Sequence, residues 1–111
     1  MSCLFCRIAD GEIPATVVLE TERVLAFEDI APAAPKHIVV ITKTHYANAA
    51  ELAADDPALA GELLSVLTKL GAEVAEAGYR IVFNTGPDAG QSVEHVHGHL
   101  LAGRNLHWPP G

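Results

Sequence analysis

The chain has 111 residues, half of them hydrophobic and 19% charged, with a net charge of −7. This length suits one domain, which we expect to span residues 1–111, and the apolar fraction excludes disorder over most of it. The acidic balance argues against a nucleic-acid-binding protein, because that affinity depends on basic side chains that neutralise phosphates. No apolar run approaches the roughly 20 residues of a membrane helix, and the first seven residues lack the pattern of a secretory signal. We therefore expect a cytoplasmic protein that binds neither membrane nor nucleic acid.

Short elements are predicted in the first part of the chain. Cys3–Ala9 is expected to form a helical turn. Val17–Glu20 and Val24–Glu28 have strand composition and are three residues apart, so they should be antiparallel neighbours. The β-branched run His37–Thr42 does not alternate with polar residues, which is typical of a strand covered on both faces.

The second part of the chain predicts one long helix and two strands. Asp56 is a suitable N-cap, Pro57 suits the first helical position, and apolar residues then recur at spacings of three and four until Gly78 ends the helix. Arg80–Asn84 and Glu94–Leu101 are predicted strands, separated by a turn-rich segment. Strands on both sides of one long helix predict an α+β domain with an antiparallel sheet.

Three histidines alternate along the last predicted strand. His95, His97 and His99 should project from one face of that strand, because successive side chains point to opposite faces. Their spacing is too wide for one zinc ion to bind all three. Imidazole titrates near neutrality and can serve as a nucleophile or an acid, so this pattern favours catalysis over a metal site made of all three.

A turn rich in glycine precedes the histidines. In Gly90-Gln91-Ser92, backbone N–H groups can surround an anion and the serine hydroxyl adds another donor. A local phosphate site of this kind would be needed in a chain of such negative charge.

Cys3 and Cys6 have the two-residue spacing that lets both thiolates reach one zinc ion. A redox pair is an alternative, although no strand is predicted before Cys3, as a thioredoxin-like motif would require. Two free thiols that pack in the interior are a second alternative.

Motifs along nearly the whole chain resemble the histidine triad family, and most closely its branch of nucleotide-binding purine nucleoside phosphoramidases. They are Gly90–Val93, His95–Leu101, Gly103-Arg104 and His107–Gly111, with Phe27–Ile30, Pro35–His37 and Lys43–His45 upstream. The resemblance implies a five-stranded antiparallel sheet with two helices. It also implies a homodimer in which two sheets join into one of ten strands.

The same resemblance implies a reaction. His97 would attack the α-phosphorus of a nucleoside phosphoramidate or related nucleotide, forming a nucleotidyl-histidine that water then hydrolyses to the nucleoside monophosphate. His99 would contact the phosphate, and Ser92 would act near the leaving group. Imidazole suits this role because it is both a nucleophile and a tolerable leaving group.

Further site residues follow from the resemblance alone. The backbone of Gln91 and Ser92 would bind the phosphate, together with the side chain of Asn84. Asp29 would bind the ribose hydroxyls, and Trp108 would lie near the active site of the neighbouring protomer.

Some members of this family carry zinc. The resemblance implies one structural zinc ion per chain on Cys3, Cys6, His45 and His95, which leaves His97 and His99 for catalysis. We assign no role to His37 or His107.

One residue departs from the family pattern, which usually has a larger apolar side chain where this chain has Gly98. We expect the glycine to weaken its strand by about 0.5–1 kcal/mol relative to alanine and to leave the chemistry unchanged.

Two other functions are compatible with the motifs. A dinucleoside polyphosphate hydrolase of the same fold is disfavoured by Gly103-Arg104 and by the ending Trp108–Gly111. A nucleotide-binding interaction module with negligible turnover is disfavoured by the intact His97.

Overall fold

The computed structural model describes residues 3–111, which form one antiparallel sheet with helices on both faces. The helices are α1 (Leu4–Ala9), α2 (Ala49–Asp55) and α3 (Pro57–Val74). The strands are β1 (Val17–Glu20), β2 (Val24–Glu28), β3 (Lys36–Thr42), β4 (Tyr79–Phe83) and β5 (His97–Ala102). They are ordered β1-β2-β3-β5-β4, and every neighbouring pair is antiparallel. The predicted α+β class with a five-stranded antiparallel sheet is confirmed.

The central strand β3 is buried on both faces, as its composition predicts. Ile38 and Val40 belong to the core under α3. Val39 and Ile41 belong to a second core on the other face, which contains Phe5 of α1. The sheet therefore separates a large structural core from a smaller core next to the histidines.

The long helix α3 begins as predicted and ends earlier. Asp56 Oδ1 accepts a hydrogen bond from the Leu59 N–H at 3.0 Å, and a proline occupies the first turn. The helix ends at Val74, because Ala75 is extended with φ −136°. Gly78, the predicted C-terminal residue, lies in the turn to β4 with φ +122°. Within residues 3–111, no helix has the length and apolarity needed to cross a membrane.

Helix α2 was not predicted, so the described chain has one α-helix more than the expected two. Asn48 Oδ1 accepts from the Glu51 N–H at 2.9 Å, and Glu51 Oε1 accepts from the Ala47 N–H at 3.1 Å. This reciprocal capping stabilises a helix with a single buried side chain, Leu52. So short an apolar pattern gives little periodicity to detect.

Strand β5 starts later than predicted, at His97 instead of Glu94. The Val96 N–H donates to the Tyr46 carbonyl at 2.7 Å, so the chain before His97 pairs with the loop after β3. The side chain of Leu100 packs in the core under α3, and a Cβ atom placed on Gly98 would point toward Leu67 of the same helix. The histidines lie on the opposite face of the sheet, as predicted.

Candidate active site and metal centre

Four metal-ligating side chains from three parts of the chain converge beside α1. Cys3 Sγ lies 3.3 Å from His95 Nδ1, and Cys6 Sγ lies 3.4 Å from His45 Nδ1 and 3.5 Å from His95 Nδ1. The two Nδ1 atoms are 3.2 Å apart. The ligand atoms of a tetrahedral zinc ion, with Zn–S of about 2.3 Å and Zn–N of about 2.0–2.1 Å, are separated by about 3.3–3.8 Å. The cluster therefore has the dimensions of a zinc site.

The hydrogen bonds around the cluster suit metal binding as well. His95 Nε2–H donates to the Thr42 carbonyl at 2.6 Å, which leaves the lone pair on Nδ1, facing the sulfur atoms. Burial lowers the pKa of His95, so its ring is neutral at pH 7. Burial and the neighbouring Cys3 raise the pKa of the Cys6 thiol to about 11, so two thiolates require a bound cation here.

The cluster fits one structural zinc ion. Two thiolates and two imidazoles fill a tetrahedral site and leave no open position for water or substrate. Of the three readings of Cys3 and Cys6, zinc binding is the one that the convergence of His45 and His95 supports.

His97 has one ring nitrogen held by the backbone and one without a proton. Its Nδ1–H donates to the His95 carbonyl at 2.7 Å, because a carbonyl oxygen only accepts, so the neutral ring has its lone pair on Nε2. The ring is buried between Phe5 and His99, whose ring centroids are 5.0 and 4.9 Å away. Backbone and packing thus set both the tautomer and the orientation.

His99 carries its proton on the other ring nitrogen, Nε2, because a chain of hydrogen bonds places it there. The Ala33 N–H donates to His37 Nδ1 at 3.0 Å, so the proton of neutral His37 is on Nε2. That Nε2–H donates to His99 Nδ1 at 2.9 Å, so His99 carries its proton on Nε2. Burial, His97 and His37 lower the pKa of His99 to about 4. His99 is therefore a neutral hydrogen-bond donor at pH 7.

Asp29 joins this chain and completes a second group of possible metal ligands with His37 and His99. Its Oδ2 lies 3.4 Å from His37 Nε2, and its Oδ1 accepts from the Ala31 N–H at 2.8 Å. A metal would need the lone pair of His37 Nε2, which the hydrogen bond from Ala33 turns into an N–H. This group is therefore a hydrogen-bonded array, in contrast to the zinc cluster.

Residue His37 received no role from the sequence, yet it orients His99. The contact depends on the pairing of β3 with β5, in which His37 lies opposite Leu101 and Val39 opposite His99. Nothing in the local pattern around His37 indicates that pairing.

The loop before the histidines is held together by Gln91. Its Oε1 accepts from the Gly86 N–H at 2.9 Å, and its Nε2 donates to the carbonyls of Ala47 and Val93 at 2.7 and 3.1 Å. Its own backbone N–H donates to the Gly86 carbonyl at 3.1 Å. A phosphate would have to replace this partner to bind the Gln91 N–H, and that predicted contact stays a prediction. Exposed Ser92 follows directly in this loop.

The other predicted site residues lie in two places. Asn84 directly follows Phe83, which pairs with Gly98, so the antiparallel register places Asn84 opposite His97. Trp108 is 81% exposed, so most of its surface is not packed against its own chain. The backbone before it is held by Arg80, whose Nη2 donates to the carbonyls of residues 106 and 107 at 3.0 Å each.

Comparison with known proteins shows the family. The HIT domain model matches residues 10–106. The crystal structure of a HIT family hydrolase from Legionella pneumophila superposes with a TM-score of 0.93 at 51% identity, covering 99% of this chain and 100% of that one. This chain belongs to the HIT family.

Two curated relatives also match over nearly the full length. An uncharacterized HIT-like protein from Synechococcus elongatus is 50% identical over 109 residues, covering 97% of this chain and 96% of the relative. A 14 kDa zinc-binding protein from Zea mays is 45% identical over 113 residues, covering 97% and 87%. The maize protein's name agrees with the zinc cluster, and the Legionella structure supports an enzyme of the hydrolase kind.

Proposed function

We propose that this protein hydrolyses the P–N bond of purine nucleoside phosphoramidates, or a related nucleotidyl bond, through a nucleotide covalently attached to His97. The observation that carries the proposal is that two adjacent imidazoles carry their protons on different ring nitrogens. His97 has a lone pair on Nε2, whereas His99 has an N–H there. A nucleophile and a donor for a phosphate oxygen are the two groups that substitution at phosphorus requires side by side.

The reaction has two displacements. In the first, the Nε2 lone pair of His97 forms a bond to the α-phosphorus while the P–N bond breaks, and the amine leaves with a proton taken up from solvent. Ser92, exposed in the preceding loop, is proposed to act near this leaving group. In the second, a water oxygen attacks the phosphorus, the Nε2–P bond breaks and the extra proton of the water returns to solvent, which releases the nucleoside monophosphate and restores the neutral imidazole.

The remaining residues bind the nucleotide in this proposal. His99 donates from Nε2 to a phosphate oxygen without adding positive charge, since its pKa is about 4. Asn84, opposite His97, and the Ser92 backbone are further phosphate donors. Asp29 binds the ribose hydroxyls with its carboxylate, which lies beside His37 in this structure. When bound, zinc supplies a structural link between α1 and the start of β5.

We also propose a homodimer with paired β4 strands. The β1 edge has a register shift between Val17 and Leu19, and such irregularities discourage edge pairing. The β4 edge is regular, and Tyr79 and Phe83 on it are 38% and 37% exposed. Light scattering should give about twice the mass of 11.7 kDa. A monomer that is stable and fully active would contradict this arrangement and the role of Trp108 at a neighbouring site.

Turnover of a substrate panel by the wild type and by His97→Asn tests the proposed function. The panel contains adenosine and guanosine phosphoramidates and dinucleoside polyphosphates, so it also separates the phosphoramidase from the dinucleotide hydrolase. We expect phosphoramidates to react fastest and His97→Asn to lose about 10³-fold or more in kcat while still binding nucleoside monophosphate. His107→Asn is the matched control, because that histidine is exposed.

Two results would contradict the proposal. An unimpaired His97→Asn protein would exclude the covalent route. A wild type that binds nucleotides and turns over none of the panel would instead favour the interaction module.

A further inference from the structure

Phe5 links the zinc cluster to the proposed nucleophile. It lies in α1 between Cys3 and Cys6, and its side chain is 8% exposed. Its ring meets the His97 ring edge-on, with centroids 5.0 Å apart and an interplanar angle of 83°. It meets the His95 ring at 6.0 Å and 76°, so the same phenyl ring contacts a metal ligand and the nucleophile.

The orientation of the His97 ring depends on three neighbours. One belongs to the zinc ligand His95, and another is Phe5 in the helix that follows Cys3. The His95 carbonyl holds Nδ1–H, while Phe5 and His99 flank the ring. A turn of the imidazole about its bond to Cβ would exchange the positions of its nitrogens and carbons. The hydrogen bond opposes that turn from one edge, and the Phe5 ring opposes it by occupying the adjacent space.

Helix α1 needs external support to keep Phe5 in place. It has six residues, and a helix of that length is not stable alone. Its supports are the small core formed with Phe27, Val39 and Ile41, and the two cysteines on either side of Phe5. The cysteines become fixed points only when a cation holds their thiolates together with His45 and His95.

We propose that Phe5 is a positioning residue that transmits the order of the zinc cluster to the His97 ring. With zinc bound, the phenyl ring holds the imidazole in the orientation in which Nδ1–H donates to the His95 carbonyl and Nε2 is directed to the substrate. Loss of either the metal or the phenyl ring frees the imidazole to exchange tautomers and orientations. The catalytic consequence rests on the proposed function, whereas the effect on the imidazole does not.

The test combines ¹⁵N NMR of labelled histidine side chains with metal analysis and kinetics. The samples are the zinc-loaded wild type, zinc-loaded Phe5→Leu and chelator-treated wild type, with His97→Asn to assign the His97 signals. Zinc-loaded Ile8→Ala is the matched control, because Ile8 packs on the same core from the same helix and has no ring. The ¹⁵N shifts of Nδ1 and Nε2 report which nitrogen carries the proton.

In the zinc-loaded wild type and in Ile8→Ala, we expect one His97 tautomer with the proton on Nδ1. Phe5→Leu should keep about one zinc per chain and yet show averaged or doubled His97 signals. Its kcat should fall by roughly 10- to 100-fold, as small displacements of a reacting group do. The chelated wild type should show the same change in the His97 signals.

Unchanged His97 signals in both Phe5→Leu and the chelated wild type would overturn the inference, even if phosphoramidates are hydrolysed. Changes as large in Ile8→Ala would also overturn it, because they would reflect general loosening of α1. If the signals change as expected while the wild type hydrolyses nothing in the panel, the positioning role stands and the proposed function fails.

Discussion

The placement of protons on His97 and His99 is decided by two backbone groups, one within the triad and one outside it. The His95 carbonyl requires a proton on Nδ1 of His97. The Ala33 N–H acts through His37 and requires a proton on Nε2 of His99. Two chemically identical side chains thereby carry their protons on different nitrogens, which suits one to act as nucleophile and the other as donor in the proposed reaction.

The neutral state of His99 has a consequence for stability. His99 takes up a proton near its ordinary pKa of 6.5 in the unfolded chain and only near about 4 in the folded one, where it faces His97, His37 and Asp29. The unfolded state thus binds more protons between these values, so the free energy of unfolding falls as the pH falls from 6.5 to 4. The contribution of His99 should be about 2 kcal/mol after allowance for the partial exposure of the ring.

Urea unfolding of the wild type and of His99→Asn at several pH values between 6.5 and 4.5 measures this effect. Acid release of zinc contributes to both proteins, so their difference isolates His99. The variant should lose less stability on acidification. Identical slopes for the two proteins would show that His99 is not held neutral by the fold.

Strand β5 and helix α3 approach each other closely at Gly98. A Cβ atom built on Gly98 would lie 2.7 Å from Leu67 Cδ1 and 2.9 Å from Phe83 Cζ. These two side chains fill the space beside Gly98. Packing therefore opposes the gain in strand stability that alanine was expected to bring.

Gly98→Ala should destabilise the protein by about 1 kcal/mol, because overpacking next to the fully buried Leu67 outweighs the gain in strand propensity. Gly61→Ala in the exposed part of α3 is the control. A Cβ there meets no atom within 4 Å, so that variant should gain about 0.5–1 kcal/mol. Thermal unfolding of the wild type and the two variants measures both changes in stability. A stabilised Gly98→Ala protein would refute the packing argument.

Elements with strong local signals were predictable. The cap at Asp56 and the apolar spacing of α3, together with the β-branched run of β3, match the structure because their causes lie within a few residues. The end of α3 and the start of β5 were not, since they depend on contacts such as Val96 with the Tyr46 carbonyl. Helix α2 was not predicted because its single buried residue, Leu52, gives no repeating pattern of apolar residues at helical spacing.

The sequence indicates which side chains of the site can react or bind metal, but it does not indicate which residues hold them in place. Spacing alone identified the alternating histidines and the cysteine pair, and the resemblance added His45 and His95 as metal ligands. His37, Phe5 and the side chain of Gln91 act through contacts between distant segments, which a single sequence does not reveal. Residues that position others leave weaker local signals than residues that react.

At the scale of the molecule, the zinc cluster ties the start of the chain to the sheet. Cys3→Ser with Cys6→Ser should reduce zinc from about one per chain to a small fraction. Loss of a ligand that binds only the folded state costs several kcal/mol, so the Tm should fall by more than about 10 °C. Metal analysis and thermal unfolding measure both.

Hydrolysis should be reduced but measurable in the fraction of this double variant that stays folded, because zinc contacts no reacting atom in the proposed reaction. Wild type that contains no metal after purification without chelator would contradict the zinc assignment. A folded, dimeric and completely inactive metal-free protein would contradict the separation of the metal from the chemistry.

The most direct test of the account is the detection of the covalent intermediate. Wild type is mixed with an adenosine phosphoramidate, quenched under alkaline denaturing conditions that preserve phosphohistidine-type bonds, and analysed by mass spectrometry. We expect an adenylyl group on the peptide that contains His97, attached to Nε2, and no such group in His97→Asn. Rapid turnover by the wild type with no adduct at any quench time, or an adduct on another residue, would contradict the mechanism.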